Sequence, residues 1–135
     1  MPKSKMNTTL NYSPNFDVKK RSVKEIKFII FHYTGMKKEN QAITRLTNNK
    51  SKVSSHYLIK NNGEILTLVP DLYVAWHAGV SSWKNYKSIN KYSIGVEISN
   101  PGHEYSYKKF SKEQVKSIIK LSTYLIKKYN IKPNF

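Results

Sequence analysis

Residues 26–33 read Ile-Lys-Phe-Ile-Ile-Phe-His-Tyr, and no other segment constrains the fold as much. Apolar, β-branched and aromatic residues at this density do not alternate with polar ones. They predict a strand covered on both faces, and hence a central position in a sheet. Thr34 and Gly35 break the run. A second strand is expected over residues 92–99, where Ile94, Val96 and Ile98 alternate with Gly95 and Glu97. Residues 55–60 and 64–69 flank Asn61-Asn62-Gly63, and an Asn-Gly step between two strand-like runs is a hairpin signal, since both residues tolerate positive φ. A helix is expected over residues 39–49, with Ala42, Ile43 and Leu46 on one face. The clearest helix starts at Ser111. Ser111 and Gln114 form a capping box, Val115, Ile118, Ile119, Leu125, Ile126 and Tyr129 recur at helical spacing, and Pro133 stops it. Strands interleaved with helices give an α/β class, a mixed central β-sheet flanked by helices.

A chain of 135 residues has the length of one domain. Residues 1–22 are polar and read as an extended arm, leaving residues 23–135 as the domain proper. Residues 70–91 hold two tryptophans and a histidine with little periodicity, a loop long enough to carry function. Cysteine is absent, which excludes a disulfide scaffold, a thiolate metal cluster and a cysteine nucleophile. Lys and Arg number 24 against 8 Asp and Glu, a net charge of +16. Such a charge draws polyanions. Only Arg21 and Arg45 are arginines, however, and the lysines run along the whole chain, which argues for a solvated lysine surface and no specific nucleic acid. No apolar run approaches a membrane span, and the lysines near Met1 precede no apolar stretch. The expectation is a monomer without a conventional secretory signal, cytoplasmic or reaching the envelope by another route.

Among the four histidines, His32 closes the dense apolar strand where the backbone turns out, the place where α/β sheets build sites. Taken alone it is either a hydrogen-bonded structural residue or a ligand. Glu97 shares a face with Gly95 and Ser99. A carboxylate in a central strand is costly unless paired, hydrogen-bonded or employed in chemistry, the alternative being a strand edge facing water. Gly95 leaves room for a close approach. Trp76-His77-Ala78-Gly79, with Trp83 nearby, is either a saccharide or peptide rim or a plug over the hairpin. His56 is expected in the core or on a sheet face, and His103 in a turn.

These segments together resemble the zinc-dependent N-acetylmuramoyl-L-alanine amidases, the type-2 amidase family shared with peptidoglycan recognition proteins. The resemblance is carried by residues 28–34, 53–59, 76–79 and 90–98, in the family's order, within a region from about Asn11 to Phe135. It implies a mixed sheet with flanking helices and a zinc-floored groove. The implied reaction is hydrolysis of the amide bond between N-acetylmuramic acid and L-alanine in peptidoglycan or muropeptides. By resemblance His32 is the first zinc ligand and Glu97 the catalytic carboxylate. Tyr33, Thr34, His56, Trp76, His77 and Asn100 fall on substrate-binding or groove positions. The family's remaining zinc ligands would lie beyond Phe135, so the C-terminal part of the domain is expected to be missing, with apolar surface exposed beside the last helix. The alternative reading is a muropeptide-binding remnant of the same fold that has lost the metal and does not cleave.

Overall fold

The computed structural model describes residues 6–79, 82, 83, 85–102, 104 and 108–133, residues 82 and 83 by backbone only. The Trp83 side chain and His103 lie outside the described residues. Five strands form a mixed sheet in the order β1 (Thr9–Leu10), β5 (Ile65–Thr67), β4 (Tyr57–Ile59), β9 (Ser93–Ile98), β3 (Phe28–Tyr33). β3 and β4 run parallel to β9, β1 runs parallel to β5, and β4 and β5 are antiparallel.

One helix covers each face. α1 (Glu39–Thr47) packs Leu46 with Leu58, Leu66 and Leu68, while α2 (Lys112–Tyr129) packs Leu121, Leu125 and Tyr129 onto Ile59, Ile94, Val96 and Ile98. Each fully buried aliphatic side chain contributes roughly 1.5–3 kcal/mol, which makes these two layers the main source of cohesion. Among the described residues no helix is long and apolar enough to cross a membrane.

β3 departs from expectation. It is an edge strand among the described residues, because one flank pairs with β9 and no described strand pairs with the other. Ile29 reaches the α2 core, but Phe31 and Tyr33 on the same face stay 44% and 50% exposed. Phe28 on the opposite face meets Tyr86 edge-on at 5.0 Å, from the short ribbon of β7 (Ser82–Trp83) and β8 (Tyr86–Lys87). The apolar density reflects packing against helix and ribbon, not a strand on both sides.

The polar arm is woven into the domain. β1 extends the sheet, β2 (Phe16–Asp17) pairs with β6 (Val74–Ala75), and Arg21 is buried. Its guanidinium donates to the carbonyls of Asp71, Asn90 and Lys91, clamping both ends of the long segment over residues 70–91. That segment contains β6, the β7–β8 ribbon and a 3-10 turn at Ile89–Tyr92, so it is less irregular than its sequence suggests.

The hairpin forms between β4 and β5 as expected, though only Gly63 has a positive φ, +87°. Lys60 donates to Glu64 and Gly63 donates back to Lys60, a three-residue loop with glycine in the left-handed position. α2 carries the expected box, with the Ser111 hydroxyl accepting from the Gln114 amide at 3.1 Å and the Ser111 amide donating to the Gln114 side chain at 3.0 Å. It ends before Pro133: Asn130 turns left-handed at φ 51° and donates to Ile126, the usual helix stop. Val115, Ile119 and Ile126 project outward, Ile119 at 61% exposure, so apolar surface does lie open beside this helix.

Gly63 also touches α2, since a Cβ there would sit 2.8 Å from the backbone oxygen of Glu113. Gly63→Ala therefore meets both a left-handed backbone and a collision with the helix start, at an expected cost of about 1–3 kcal/mol. A lowered urea midpoint with unchanged slope is the expected reading. An unchanged midpoint would mean that the hairpin tip does not bear on the helix.

Candidate active site

The parallel register of β3 on β9 pairs His32 with Glu97, and side chains at paired positions project from the same face. Ser93 and Gly95 share that face of β9, and Leu58 borders Glu97 on the β4 side. Here α1 stands back from the sheet and leaves a cleft of about 110 Å³, lined by Thr34, Met36, Arg45, Trp76, His77 and Glu97 among others. Glu97 is largely buried, and its Oε2 has no hydrogen-bond partner among the described residues. Burial lifts its carboxyl to about 7, with the Arg45 guanidinium pulling the other way. A carboxyl that titrates near neutrality and has an unengaged oxygen can take and return a proton.

Gly95 makes the next feature possible. A Cβ at this position would come within 2.4 Å of the His77 imidazole, so the ring lies directly on the β9 backbone. His77 bridges two partners from there. Its Nδ1 is 3.1 Å from His32 Nε2 and its Nε2 is 3.0 Å from Ser93 Oγ. Burial, and then the neighbouring histidines, push His77 down to about 3, and burial lowers His32. Trp76 lines the cleft with its backbone amide donating to Ser54 Oγ and its indole N–H donating to Asp17 Oδ1 at 2.8 Å. The indole is thus held by the N-terminal arm. Ala78 donates to the Asn90 side chain and closes the turn.

The other candidates separate. Thr34 lines the cleft, and its hydroxyl donates to the Asn100 carbonyl. Asn100 is buried and occupied: its side-chain Nδ2 donates to Lys108 O, its side-chain oxygen accepts from Gly102 N–H, and its backbone N–H donates to Thr34 Oγ1. Tyr33 lies on the opposite face of β3, its ring over Gly102. His56 lies under the site with no exposure. Its Nδ1 accepts from the Gly95 amide, so Nε2 carries the hydrogen and donates to Tyr73 O at 2.8 Å. The Arg21 Nη2 at 3.2 Å from Nε2 is therefore a close cation and not a hydrogen-bond partner. Sequence reasoning missed Arg45, Met36 and Ser93. Arg45 had a signal, as one of two arginines and in the last turn of an expected helix.

His32 is a candidate metal donor, and a catalytic zinc needs three protein ligands. Among the described residues no group of three His, Cys, Asp or Glu side chains comes together to hold a metal. His77 does not complete one, because both its ring nitrogens are engaged.

Residues 22–135 match the family of N-acetylmuramoyl-L-alanine amidases designated Amidase_2. The chain belongs to this family. It is 37% identical over 120 residues to the N-acetylmuramoyl-L-alanine amidase AmiD of Escherichia coli K12, an alignment covering 80% of this chain and 42% of that one. The structure of E. coli AmiD in complex with anhydro-N-acetylmuramic acid-L-Ala-D-γ-Glu-L-Lys superposes with a TM-score of 0.70 at 35% identity, over 81% of this chain and 46% of that chain. A selenomethionine AmpD structure gives 0.75 at 25% identity, over 91% and 75%. The chain thus spans less than half the length of AmiD. The amidase fold, a mixed sheet between helices, is the one observed here.

His56 makes the fold acid-sensitive in a predictable way. Burial, then the Arg21 cation, hold it down to about 3 against 6.5 in the unfolded chain. Below pH 6.5 the unfolded chain binds a proton that the folded one does not, so stability falls with acid by about 1.4 kcal/mol per pH unit for this residue. His56→Gln keeps a donor and an acceptor without the titration. Urea unfolding at several pH values should show a shallower loss between pH 6 and 4 for the variant. Parallel curves would refute a buried neutral His56.

Proposed function

We propose that this chain carries the catalytic core of an amidase that hydrolyses the amide between the lactyl group of N-acetylmuramic acid and L-alanine, with Glu97 as general base. The observation that carries the reading is Glu97 itself: buried, with an oxygen that has no hydrogen-bond partner among the described residues, opening into the cleft and paired in register with His32. Outside a proton-transfer role such a carboxylate only costs stability. In the reaction the oxygen of a water bonds to the lactyl carbonyl carbon while one of its protons passes to Glu97. The carbon–nitrogen bond then breaks, and Glu97 returns the proton to the departing amine of L-alanine. The products are the muramic carboxyl and the free stem peptide. Trp76 offers a stacking face for sugar or peptide, and Arg45 a cation for the carboxylates of the stem.

The muropeptide class of substrate is supported by the anhydromuramyl tripeptide bound to the related AmiD. Zinc is the metal implied by the family resemblance, and His32 is its one candidate donor at this site. The described residues do not complete a three-ligand set, so no step here is assigned to a metal. The same observation favours a second reading, a groove that binds muropeptide without cleaving it.

One experiment separates the two. The chain is incubated with anhydro-N-acetylmuramic acid-L-Ala-D-γ-Glu-L-Lys with and without added zinc, and release of the tripeptide is followed by chromatography. Hydrolysis is the expected result, and Glu97→Gln should lower turnover by about 10²–10⁴-fold while keeping substrate affinity. Full activity in the variant would remove Glu97 from the mechanism. Calorimetric binding without release would establish the second reading.

A further inference from the structure

The N-terminal arm reaches the cleft at Trp76, and the register of β2 on β6 shows how. Phe16 pairs with Ala75 and Asp17 with Val74, so the two arm residues look to opposite sides. On one side Phe16 meets its diagonal neighbour Tyr73 edge-on at 5.0 Å, a contact that holds the register. On the other side Trp76 is the diagonal neighbour of Asp17, and its indole N–H donates to Asp17 Oδ1 at 2.8 Å. The backbone of Trp76 is fixed separately. Its N–H donates to Ser54 Oγ at 2.9 Å, its carbonyl accepts from the Ser54 amide at 2.9 Å, and the Ser54 hydroxyl donates to the Asn15 carbonyl. What Ser54 leaves undetermined is the rotamer of the ring, and Asp17 supplies that.

We infer that Asp17 is a positioning residue that holds the Trp76 indole in its cleft orientation, so that the ring meets a ligand with carbon surface only. The inference rests on the reading of Trp76 as a substrate-facing residue. It adds what orients the ring and what the ring can recognise. An indole has one hydrogen-bond donor and no acceptor. With that donor spent on the arm, Trp76 offers the cleft a π face and a ring edge. The chemistry this fits is a C–H surface, such as the apolar side of a pyranose ring or the methyl groups of lactyl and alanine. A carbonyl or hydroxyl seeking a donor finds none there. Asp17 itself does not line the cleft, and among the described residues the indole is the one hydrogen-bond partner of its side chain. The arm is anchored without it. Asn15 Nδ2 donates to the carbonyls of Asn48 at 2.9 Å and Val53 at 2.8 Å, just past the end of α1. A change at Asp17 therefore frees the ring without detaching the arm.

The test begins with the Trp76 indole signal in a 15N–1H correlation spectrum, which needs no ligand. The chain has two tryptophans, and Trp76→Phe assigns the signal by removing it. In the wild type the Nε1–H should exchange slowly with water; fast exchange would overturn the inference without any variant. Asp17→Ala should move the signal and speed its exchange by about tenfold or more, as expected for the loss of a charge-assisted bond. Asp17→Asn keeps Oδ1 and should restore both. A signal untouched by Asp17→Ala would overturn the proposal. The second readout is calorimetric binding of anhydro-N-acetylmuramic acid-L-Ala-D-γ-Glu-L-Lys. Asp17→Ala should weaken it about three- to tenfold, the scale on which ordering one contact side chain counts. Asp17→Asn should recover the loss. In a Trp76→Phe background Asp17→Ala should cost nothing further, because the donor it served is gone. An equal loss in both backgrounds, or none in either, would overturn the assignment. A wild-type chain that binds no muropeptide would end the functional reading, while the indole signal would still decide this one.

Discussion

Six consecutive residue pairs hold β3 against β9 in parallel, and the fifth is His32 opposite Glu97. Side chains alternate along a strand, so a slip of one residue would send His32 to the α2 face and leave Glu97 alone above α1. The register is protected by what lies on the other face. Ile94, Val96 and Ile98 are buried in the α2 core, together with Ile29 from β3, and moving either strand by one residue would exchange apolar side chains for Ser, Gly, Glu and His. The larger hydrophobic cluster thus locks the polar pair in place from behind. This division of labour explains why two titratable groups persist side by side on β3 and β9. One face supplies cohesion, and the other is free to hold chemistry.

On that second face three imidazoles stand close together, with His32 and His77 rings 5.3 Å apart and His56 and His77 rings 6.2 Å apart. Burial keeps His56 and His77 neutral and lowers His32, so they coexist without mutual repulsion. Their roles differ by where their nitrogens are spent. Both nitrogens of His56 bond to backbone, both of His77 bond to other side chains, and one nitrogen of His32 bonds to His77. A donor to an external partner must have a lone pair left over. Of the three, His32 alone keeps a ring nitrogen without a hydrogen bond among the described residues.

Much of this was legible in the residues, for reasons that differ by element. The face shared by Gly95 and Glu97 followed from a period of two and needed no tertiary knowledge. The capping box at Ser111 and the glycine of the hairpin followed from local backbone chemistry. The edge position of β3 was not legible, since apolar density reports burial without saying whether a strand, a helix or an aromatic ribbon supplies it. The integration of the arm into the domain was not legible for a related cause. Its polar side chains satisfy backbone groups of distant segments, as when Asn15 donates to the carbonyls of Asn48 and Val53. Composition registers such residues as surface. Asn100 shows the same limit, because a buried amide closing a turn and one facing a groove are identical in sequence.

The two arginines settle how the charge of +16 should be read. Reading phosphates or guanine edges calls on a planar, freely presented guanidinium. Arg21 is buried among backbone carbonyls and is depressed to about 10 by that burial, and four of its five N–H groups are spent on the fold. Arg45 lines the cleft and opposes the upward drift of the Glu97 carboxyl, so its charge serves the site. What remains outside is lysine, a hydrated point charge on a flexible stem that attracts anions without choosing among them. Arg21 is spent inside the fold and Arg45 stands exposed at the cleft, so each of the two forked cations is committed to one place, and the rest of the positive charge is lysine.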